Sequence, residues 1–394
     1  MFTDYSIARL ARAGEAAFLA SALMDARRRT LGLLDAYVAK LGPELAIPYS
    51  TQLNPPRWEV GHVAWFYDVW IARNPQRHLG LAADPACSRP EGRMAGADAL
   101  YNSSLVKHTT RWELPLPDLA GTRAYLEESL AETLALLVDD AAAGRDLYFY
   151  QLSLFHEDMH AEAGTYMAQA LDIPLPAHLR PWERPLPAAA EIAIPAQTWT
   201  LGTANKDFAF DNELPAHAVA LDAFRIDSVP VSWRRFVPAI EAGAVGMPRY
   251  LRNENGAWQA RRFGAWEPLN LDAAAVHLTW DEAQAWCAWA GRRLPTEAEW
   301  ECAAGSGAAV PPAPTFEWGE VWEWTSSRFA PYPNAAGFLA HPYRDYSRFG
   351  FEEYRHVLKG ASRATDPRMA HPKYRNYFTP ERNDIHTGFR SCAC

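Results

Sequence analysis

The sequence has few cysteines, no long apolar run and no excess of basic residues, and each absence excludes a class of protein. Its five cysteines among 394 residues are too scattered for the disulfide framework of a small secreted domain. No apolar run approaches the roughly 20 residues that a membrane-spanning helix needs. The net charge of −9 argues against partners such as nucleic acid or an anionic membrane. The N-terminus lacks a signal-peptide core, so we predict a cytoplasmic protein.

The spacing of apolar residues in the first half predicts a helical domain. Four segments share the pattern of long amphipathic helices: residues 4–41, a segment that begins at Pro55, residues 121–143 and residues 145–171. Long helices with polar connections are typical of an up-and-down bundle, which we place at residues 1–180. A proline-rich segment from Ile173 then ends the bundle, because repeated prolines interrupt both helices and sheets.

The second half predicts an irregular α+β domain over residues 190–394. From Ile192 onward, short β-type runs alternate with turns and with loops rich in aromatic residues. One clear helix is expected between Thr279, a suitable N-cap, and Gly291, a suitable C-cap.

Two histidines four residues apart lie in the last helix of the predicted bundle. His156 and His160, within FHEDMHAE, should project from one helix face beside an apolar stripe. Two convergent imidazoles can clamp a divalent metal ion. The same letters match the zinc-protease pattern H-E-x-x-H, in which the glutamate is the general base. A core helix with two hydrogen-bonded histidines is the third interpretation.

His62 is a candidate third ligand. It is flanked by Trp58, Trp65 and Phe66 on the second predicted helix, so we expect it to face the bundle interior. Three imidazoles leave coordination positions open, which suits Fe(II) binding substrate and O₂ or Zn(II) binding water. Spacing alone does not choose between the two metals.

Four motifs of the second half resemble the formylglycine-generating-enzyme-like domain, a C-type-lectin-like fold: RRLPTEAEWECAAG (292–305), VWEWTSS (321–327), HVLKGAS (356–362) and HTGFRSC (386–392). The segment 360–376 has no cysteine where the resemblance would place copper ligands, so copper-dependent cysteine oxidation is not expected. We expect Arg292, Arg293, Glu297 and Glu299 to form internal salt bridges. In the first half, GHVAWF and FHEDMHAEA resemble the DinB-like four-helix bundle.

This combination of domains resembles the ergothioneine-biosynthesis sulfoxide synthases. The resemblance implies a mononuclear non-haem Fe(II) oxidoreductase with iron on His62, His156 and His160. It implies O₂ as co-substrate and a reaction at C2 of the imidazole of hercynine, the trimethylated histidine. It also implies a hercynine pocket at Asn376, Tyr377 and Phe378. An amide can donate to a carboxylate, and aromatic faces attract a quaternary ammonium, so these residue types suit that substrate.

Two departures from the family pattern affect the donor and the proton source. Members that use γ-glutamylcysteine have aspartate where this chain has Phe378, and Arg382 remains as one possible polar contact. The family's proton-donating tyrosine has three candidates, Tyr332, Tyr343 and Tyr346. We choose Tyr343 as the catalytic residue.

These observations lead us to predict the selenoneine-synthase branch, which attaches selenium from a selenosugar to hercynine. The alternative is a sulfoxide synthase that uses cysteine or another thiol. A zinc hydrolase built on HEDMH is more remote, because it leaves His62 and the second domain unexplained. A non-catalytic binding protein would hold no tightly bound metal.

Overall fold

The structure, a computed structural model, describes residues 5–204, 207–305, 314–337, 343 and 345–394. The chain folds into two compact units. The first, here called the helical unit, comprises Leu10–Arg180 together with Tyr343. The second, the mixed unit, contains the remaining described residues.

Long helices form the framework of the helical unit. Up to residue 180 the α-helices are α1 (Ser6–Ala13), α2 (Ala16–Leu41), α3 (Pro56–Tyr67), α4 (Ala97–Tyr101), α5 (Leu119–Ala142) and α6 (Tyr148–Ala170). Of these, α2, α3, α5 and α6 pack against one another. Asp118 caps α5 by accepting a hydrogen bond from the Gly121 amide at 2.8 Å.

The expectation of one continuous helix over residues 4–41 is wrong near Gly14. The chain leaves α1 there with a φ of +72°, a left-handed conformation that favours glycine. The Gln151 side chain of α6 donates to the carbonyls of Ala11 and Arg12 at 3.0 and 2.7 Å, which satisfies carbonyls that the end of α1 leaves free. Periodicity continues across this break, so the sequence pattern alone did not reveal it.

A π-helical turn at Asp68–Ala72 extends α3. Such turns place one extra residue in a helix and are frequent near functional sites. Here the turn follows the helix that carries His62, and it presents Trp70 one turn beyond Phe66.

The mixed unit is built from short strands and helices. Its helices are α7 (Trp233–Glu241), α8 (Trp280–Trp289), α9 (Glu297–Gly305) and α10 (Asp345–Glu352). Its strands are β1 (Glu191–Ile194), β2 (Gln197–Leu201), β3 (His217–Leu221), β4 (Phe224–Asp227), β5 (Leu251–Glu254), β6 (Ala257–Arg262), β7 (Ala265–Pro268), β8 (Arg292–Arg293), β9 (Trp322–Arg328), β10 (His356–Gly360), β11 (Asn376–Phe378), β12 (Thr387–Gly388) and β13 (Cys392–Ala393).

Among the described residues these strands form four small sheets. Their strand orders are β1-β4-β13-β8, β11-β10-β9-β12, β2-β3 and β5-β6-β7. Neighbouring strands run antiparallel except β12 and β9, which are parallel. A helical region is thus followed by a mixed α/β domain, as predicted. No helix in the described part of the chain is both long and apolar enough to cross a membrane.

Tryptophans and buried ion pairs hold the mixed unit together. Trp300 is fully buried in a cluster with Trp318, Phe224 and Ile226. Its indole donates to Glu323 at 2.7 Å, and Glu323 also pairs with Arg390. Burial of both charges is tolerated because each carries several hydrogen bonds.

The salt bridges expected of the RRLPTEAEWECAAG motif are confirmed. Arg293 pairs with Glu299 at 2.6 Å, and Arg292 pairs with Glu191 at 2.8 Å. Glu297 accepts from the buried Arg375 at 2.9 Å. These side chains are therefore structural.

The α8 N-cap is also confirmed, since Thr279 and Glu282 form a reciprocal capping box. The C-cap is Ala290; Gly291 follows it with a φ of +64°.

Candidate metal centre and substrate pocket

Three histidines converge inside the helical unit. His62 comes from α3, whereas His156 and His160 come from α6. The Nε2 atom of His156 lies 3.2 Å from that of His62 and 3.1 Å from that of His160. His62 and His156 are buried, and His160 is partly exposed. The residues predicted as metal ligands are thus brought together, with one ligand atom from each within 4.8 Å of the others.

The outer hydrogen bonds fix the tautomers of two of these rings. The Nδ1 atom of His62 lies 2.7 Å from the Tyr101 carbonyl oxygen, which can only accept, so Nδ1 must carry the proton. The Nδ1 atom of His160 lies 2.6 Å from Oε1 of Glu59, a carboxylate that also accepts. In the neutral rings, both Nε2 atoms therefore present lone pairs toward the centre.

A protein-only arrangement cannot satisfy these lone pairs. The Nε2 atom of His156 could donate one hydrogen to one neighbour, which would leave the other lone pair without a donor from this cluster. A divalent cation among the three Nε2 atoms would satisfy all of them. The donor set therefore fits a metal ion that prefers imidazole ligands.

Burial favours the neutral form of two of these histidines, His62 and His156. Burial, reinforced by the neighbouring His160, lowers the pKa of His62 to about 3. Burial also holds the pKa of His156 well below its usual range, with added repulsion from His160 and His62. Burial alone would raise the pKa of Glu59, but His160, together with His62 and Asn54, outweighs burial and lowers it. Neutral imidazole is the form that binds a metal, so no proton must be displaced from His62 or His156 near neutral pH.

Glu157, the glutamate of the H-E-x-x-H pattern, is bound to residues of α2 and not to the three histidines. It is fully buried and accepts from Arg27 Nε at 2.8 Å, from Arg27 Nη2 at 3.1 Å and from Thr30 Oγ1 at 2.8 Å. These contacts occupy both carboxylate oxygens with residues of α2. A general base must reach the metal-bound water, so the zinc-hydrolase alternative loses its base.

An aromatic wall borders the histidines. Phe66 stacks on His156 with ring centroids 3.6 Å apart, and Trp70 stacks on Phe149 at 5.6 Å. Tyr343 packs edge-on against Phe66 at 5.1 Å and Trp70 at 5.8 Å. Its ring centroid lies 6.3 Å from that of His156.

Tyr343 is therefore the one of the three candidate tyrosines that packs beside the triad within the helical unit. Tyr332 and Tyr346 are packed within the mixed unit. The guanidinium of Arg375 lies 4.0 Å above the Tyr332 ring, and the Tyr346 hydroxyl lies 2.6 Å from that of Tyr374.

Comparison with known proteins places these features in a family. A family model described as a sulfatase-modifying factor enzyme 1-like domain matches residues 178–320 and 316–393. Hercynine oxygenase from Mycolicibacterium smegmatis is 32% identical over 94% of this chain and 97% of that protein. Hercynine oxygenase from Mycobacterium tuberculosis is 31% identical over 94% of this chain and 97% of its own length. The chain belongs to the hercynine oxygenase family.

Other similar proteins match a smaller share of the chain. Formylglycine-generating enzyme from Bos taurus is 30% identical over 32% of this chain and 42% of that protein. The solved structure of PvdO from Pseudomonas aeruginosa is 18% identical, with a TM-score of 0.34, over 51% of this chain and 93% of its own. Membership of the hercynine oxygenase family, by contrast, extends over both units, and the prediction of an enzyme is confirmed.

The predicted substrate residues of this hercynine oxygenase family member lie together in the mixed unit. Asn376, Tyr377 and Phe378 form β11, which pairs with β10. The Asn376 side-chain oxygen accepts from the Tyr377 amide at 2.9 Å. Its Nδ2 group has no hydrogen-bond partner in the described part of the chain, so it is the donor left for a ligand.

The side chains of Tyr377, Phe378 and Arg382 make more contacts with other protein groups than the sequence suggests. Tyr377 stacks on Phe329 with centroids 3.9 Å apart, and its hydroxyl donates to the Tyr346 carbonyl. The Arg382 guanidinium lies 4.9 Å from the Phe378 ring centroid. It also forms a two-pronged pair with Asp384, at 2.6 and 2.7 Å.

The sequence analysis missed Glu59 and the Tyr101 carbonyl, which bind the outer nitrogens of His160 and His62. The signal for Glu59 was present, since it is an acid three residues before His62 in a mostly apolar helix. No sequence pattern could reveal the Tyr101 carbonyl, because a backbone acceptor has no residue signature.

Proposed function

We propose that this family member is a mononuclear non-haem Fe(II) enzyme that uses O₂ to join a chalcogen donor to C2 of the imidazole of hercynine. The observation that carries the proposal is the convergence of three Nε2 atoms, two of them fixed as lone-pair donors, in a chain related to hercynine oxygenases over both units. His62, His156 and His160 would hold the iron. Bound iron would supply the redox chemistry with O₂ and would hold the donor near its acceptor.

The protein's own groups would bind hercynine and handle protons. Asn376 Nδ2 would donate to the hercynine carboxylate, and the aromatic side chains of β11 would favour its quaternary ammonium. Phe329 covers one face of Tyr377, and the guanidinium groups of Arg355 and Arg382 lie 5.5 and 4.9 Å from the Tyr377 and Phe378 ring centroids. The quaternary ammonium would therefore compete with these two cations for the rings. Tyr343 would hold a proton at its hydroxyl close to the histidines, supported by its packing on Phe66 and Trp70.

Similarity to hercynine oxygenases favours sulfur as the chalcogen, from cysteine or another thiol. We therefore propose C–S bond formation, the sulfoxide-synthase chemistry, as the leading function. One specific observation keeps a neutral selenosugar as the second candidate. Phe378 offers no charge, and Arg382, its cationic neighbour, is already paired with Asp384. A donor with several charges would find no free counter-charge among these residues, whereas a neutral sugar needs none.

A competition experiment tests the function and the donor together. Apoprotein is reconstituted with Fe(II) without oxygen, mixed with hercynine and O₂, and offered cysteine, γ-glutamylcysteine, a thiosugar and a selenosugar in parallel. Products are identified by mass spectrometry. A C2-substituted hercynine from any donor supports the proposal, and the preferred donor decides between sulfur and selenium. The absence of a hercynine adduct with all four donors, from protein that holds iron, would refute it.

A further inference from the structure

The three candidate ligands differ in what their outer ring nitrogens contact. His62 Nδ1 meets a neutral backbone carbonyl, that of Tyr101. His156 Nδ1 is buried and has no hydrogen-bond partner among the described residues. His160 Nδ1 meets the Glu59 carboxylate at 2.6 Å. Among the described residues, the outer contacts of the three candidate ligands are therefore unequal, and His160 is the one that contacts an anion.

Glu59 is held rigidly in this contact. Its second oxygen, Oε2, accepts from Asn54 Nδ2 at 2.8 Å. Asn54 in turn accepts from Arg111 Nη1 at 2.7 Å, and the Arg111 guanidinium stacks 3.8 Å from the Trp58 ring centroid. Trp58 itself lies parallel to His62, with ring centroids 4.9 Å apart. A continuous chain of contacts thus runs from Arg111 through Asn54 and Glu59 to His160.

The surroundings preserve the strength of this hydrogen bond. Glu59 is 6% exposed, and with His160 it borders a cavity of about 30 Å³. Most of the residues that line this cavity are apolar: Leu33, Leu34, Pro56, Val60, Val63, Ala161 and Met167. Because Glu59 is buried beside this mostly apolar lining, its charge acts more strongly on the imidazole that it contacts than it would in water.

We propose that Glu59 is a positioning residue that orients His160 and, through its negative charge, makes His160 the strongest metal donor of the three. Accepting the Nδ1 proton increases the electron density at Nε2, so the metal bond strengthens. The carboxylate also offsets part of the charge that a dication brings into a buried site. This inference rests on the metal centre of the proposed function but not on its substrate or donor.

Two variants separate the charge of Glu59 from its hydrogen-bonding geometry. Glu59→Gln keeps the shape and an oxygen for His160 but removes the charge, and it sets two amides against each other at Asn54. Adding Asn54→Asp repairs that contact, because the new carboxylate accepts from the introduced glutamine amide and from Arg111. The double variant therefore preserves net charge and hydrogen-bond count while moving the anion one residue away from His160.

Asp140→Asn is the matched control. Asp140 is another buried carboxylate of the helical unit, and its partners are Arg77, Arg145 and Tyr150. This variant should lower stability without changing metal affinity.

Metal affinity is measured by chelator competition with Co(II), Zn(II) and anaerobic Fe(II), and thermal unfolding of the metal-free protein checks folding. We expect Glu59→Gln to weaken binding by roughly 10- to 100-fold, the usual effect of losing such a partner. The double variant should stay within a few-fold of Glu59→Gln, and the Co(II) visible spectrum should shift in both.

Wild-type affinity in the double variant would show that geometry alone matters and would overturn the charge role. Affinity of Glu59→Gln within twofold of wild type would overturn the inference entirely. A wild-type protein that binds none of the three metals would instead refute the metal centre, so the two failures are distinguishable.

Discussion

Glu157 offers the sharpest separation between a structural glutamate and a catalytic one. It follows His156 directly in H-E-x-x-H, yet it is bound to Arg27 through both oxygens. Burial alone would lower the pKa of Arg27, but Glu157 and Tyr67 together more than compensate and raise it. We predict that Glu157→Ala destabilises the helical unit and leaves the metal affinity unchanged.

The size of the effect follows from burial. Arg27 is 2% exposed and Glu157 is fully buried, so removing the carboxylate leaves a buried guanidinium without its counter-charge. Breaking such a pair typically costs about 3–5 kcal/mol, a large part of the 5–15 kcal/mol that stabilises a typical domain. For a unit of this size, that loss corresponds to a fall in Tm of roughly 6–20 °C. Asp25→Ala, which breaks a solvent-exposed pair with Arg28 on the same helix, should cost no more than about 1 kcal/mol.

The assay combines circular dichroism of the metal-free variants with chelator competition for Co(II). Replacing both partners, as Arg27→Met with Glu157→Leu, should recover much of the lost stability, because an apolar pair leaves no buried charge. If Glu157→Ala instead kept its Tm and lost metal affinity or metal-dependent activity, Glu157 would face the metal. The zinc-hydrolase interpretation would then return.

Four further predictions address the site. Alanine substitution of each candidate ligand, His62, His156 or His160, should abolish stoichiometric metal binding while the chain stays folded. Full metal content by elemental analysis in any one variant would show that the substituted residue is not a ligand. Tyr343→Phe keeps the ring that packs on Phe66 but loses the hydroxyl, so turnover should fall by about 10²–10⁴-fold with unchanged metal affinity; unchanged turnover would exclude a proton role. Asn376→Ala should raise the KM for hercynine by roughly 5- to 150-fold, equivalent to about 1–3 kcal/mol. A loss of folding stability by that free energy with an unchanged KM would instead indicate that Asn376 has a packing role. Phe378→Asp should not improve use of a selenosugar and should add slight activity with γ-glutamylcysteine, which the four-donor assay measures.

Helical periodicity was enough to predict that the two candidate metal ligands on one helix converge. His156 and His160 are one turn apart on α6, so their convergence needs only local geometry. His62 required the further assumption that its apolar neighbours turn α3 toward the same interior, and the structure places it there. In the mixed unit, by contrast, the sequence motifs pointed to Asn376 and Phe378 as candidate substrate residues. They did not show that neighbouring side chains already contact other protein groups. The pairing of Arg382 with Asp384 and the stacking of Tyr377 on Phe329 depend on side-chain directions that no motif specifies.

Two buried glutamates on the ligand helices explain why the most visible motif was the less informative one. Glu157 is adjacent to His156, and one residue along a helix turns the side chain by about 100°, so it leaves the ligand face and meets Arg27 on α2. Glu59 precedes His62 by three residues, which returns it almost to the same face, where it reaches His160 on α6. A search around a helical ligand should therefore examine acids three or four residues away as closely as the adjacent one. Such an acid can contact a ligand carried by a neighbouring helix, as Glu59 does here, and thereby tune a metal it never touches.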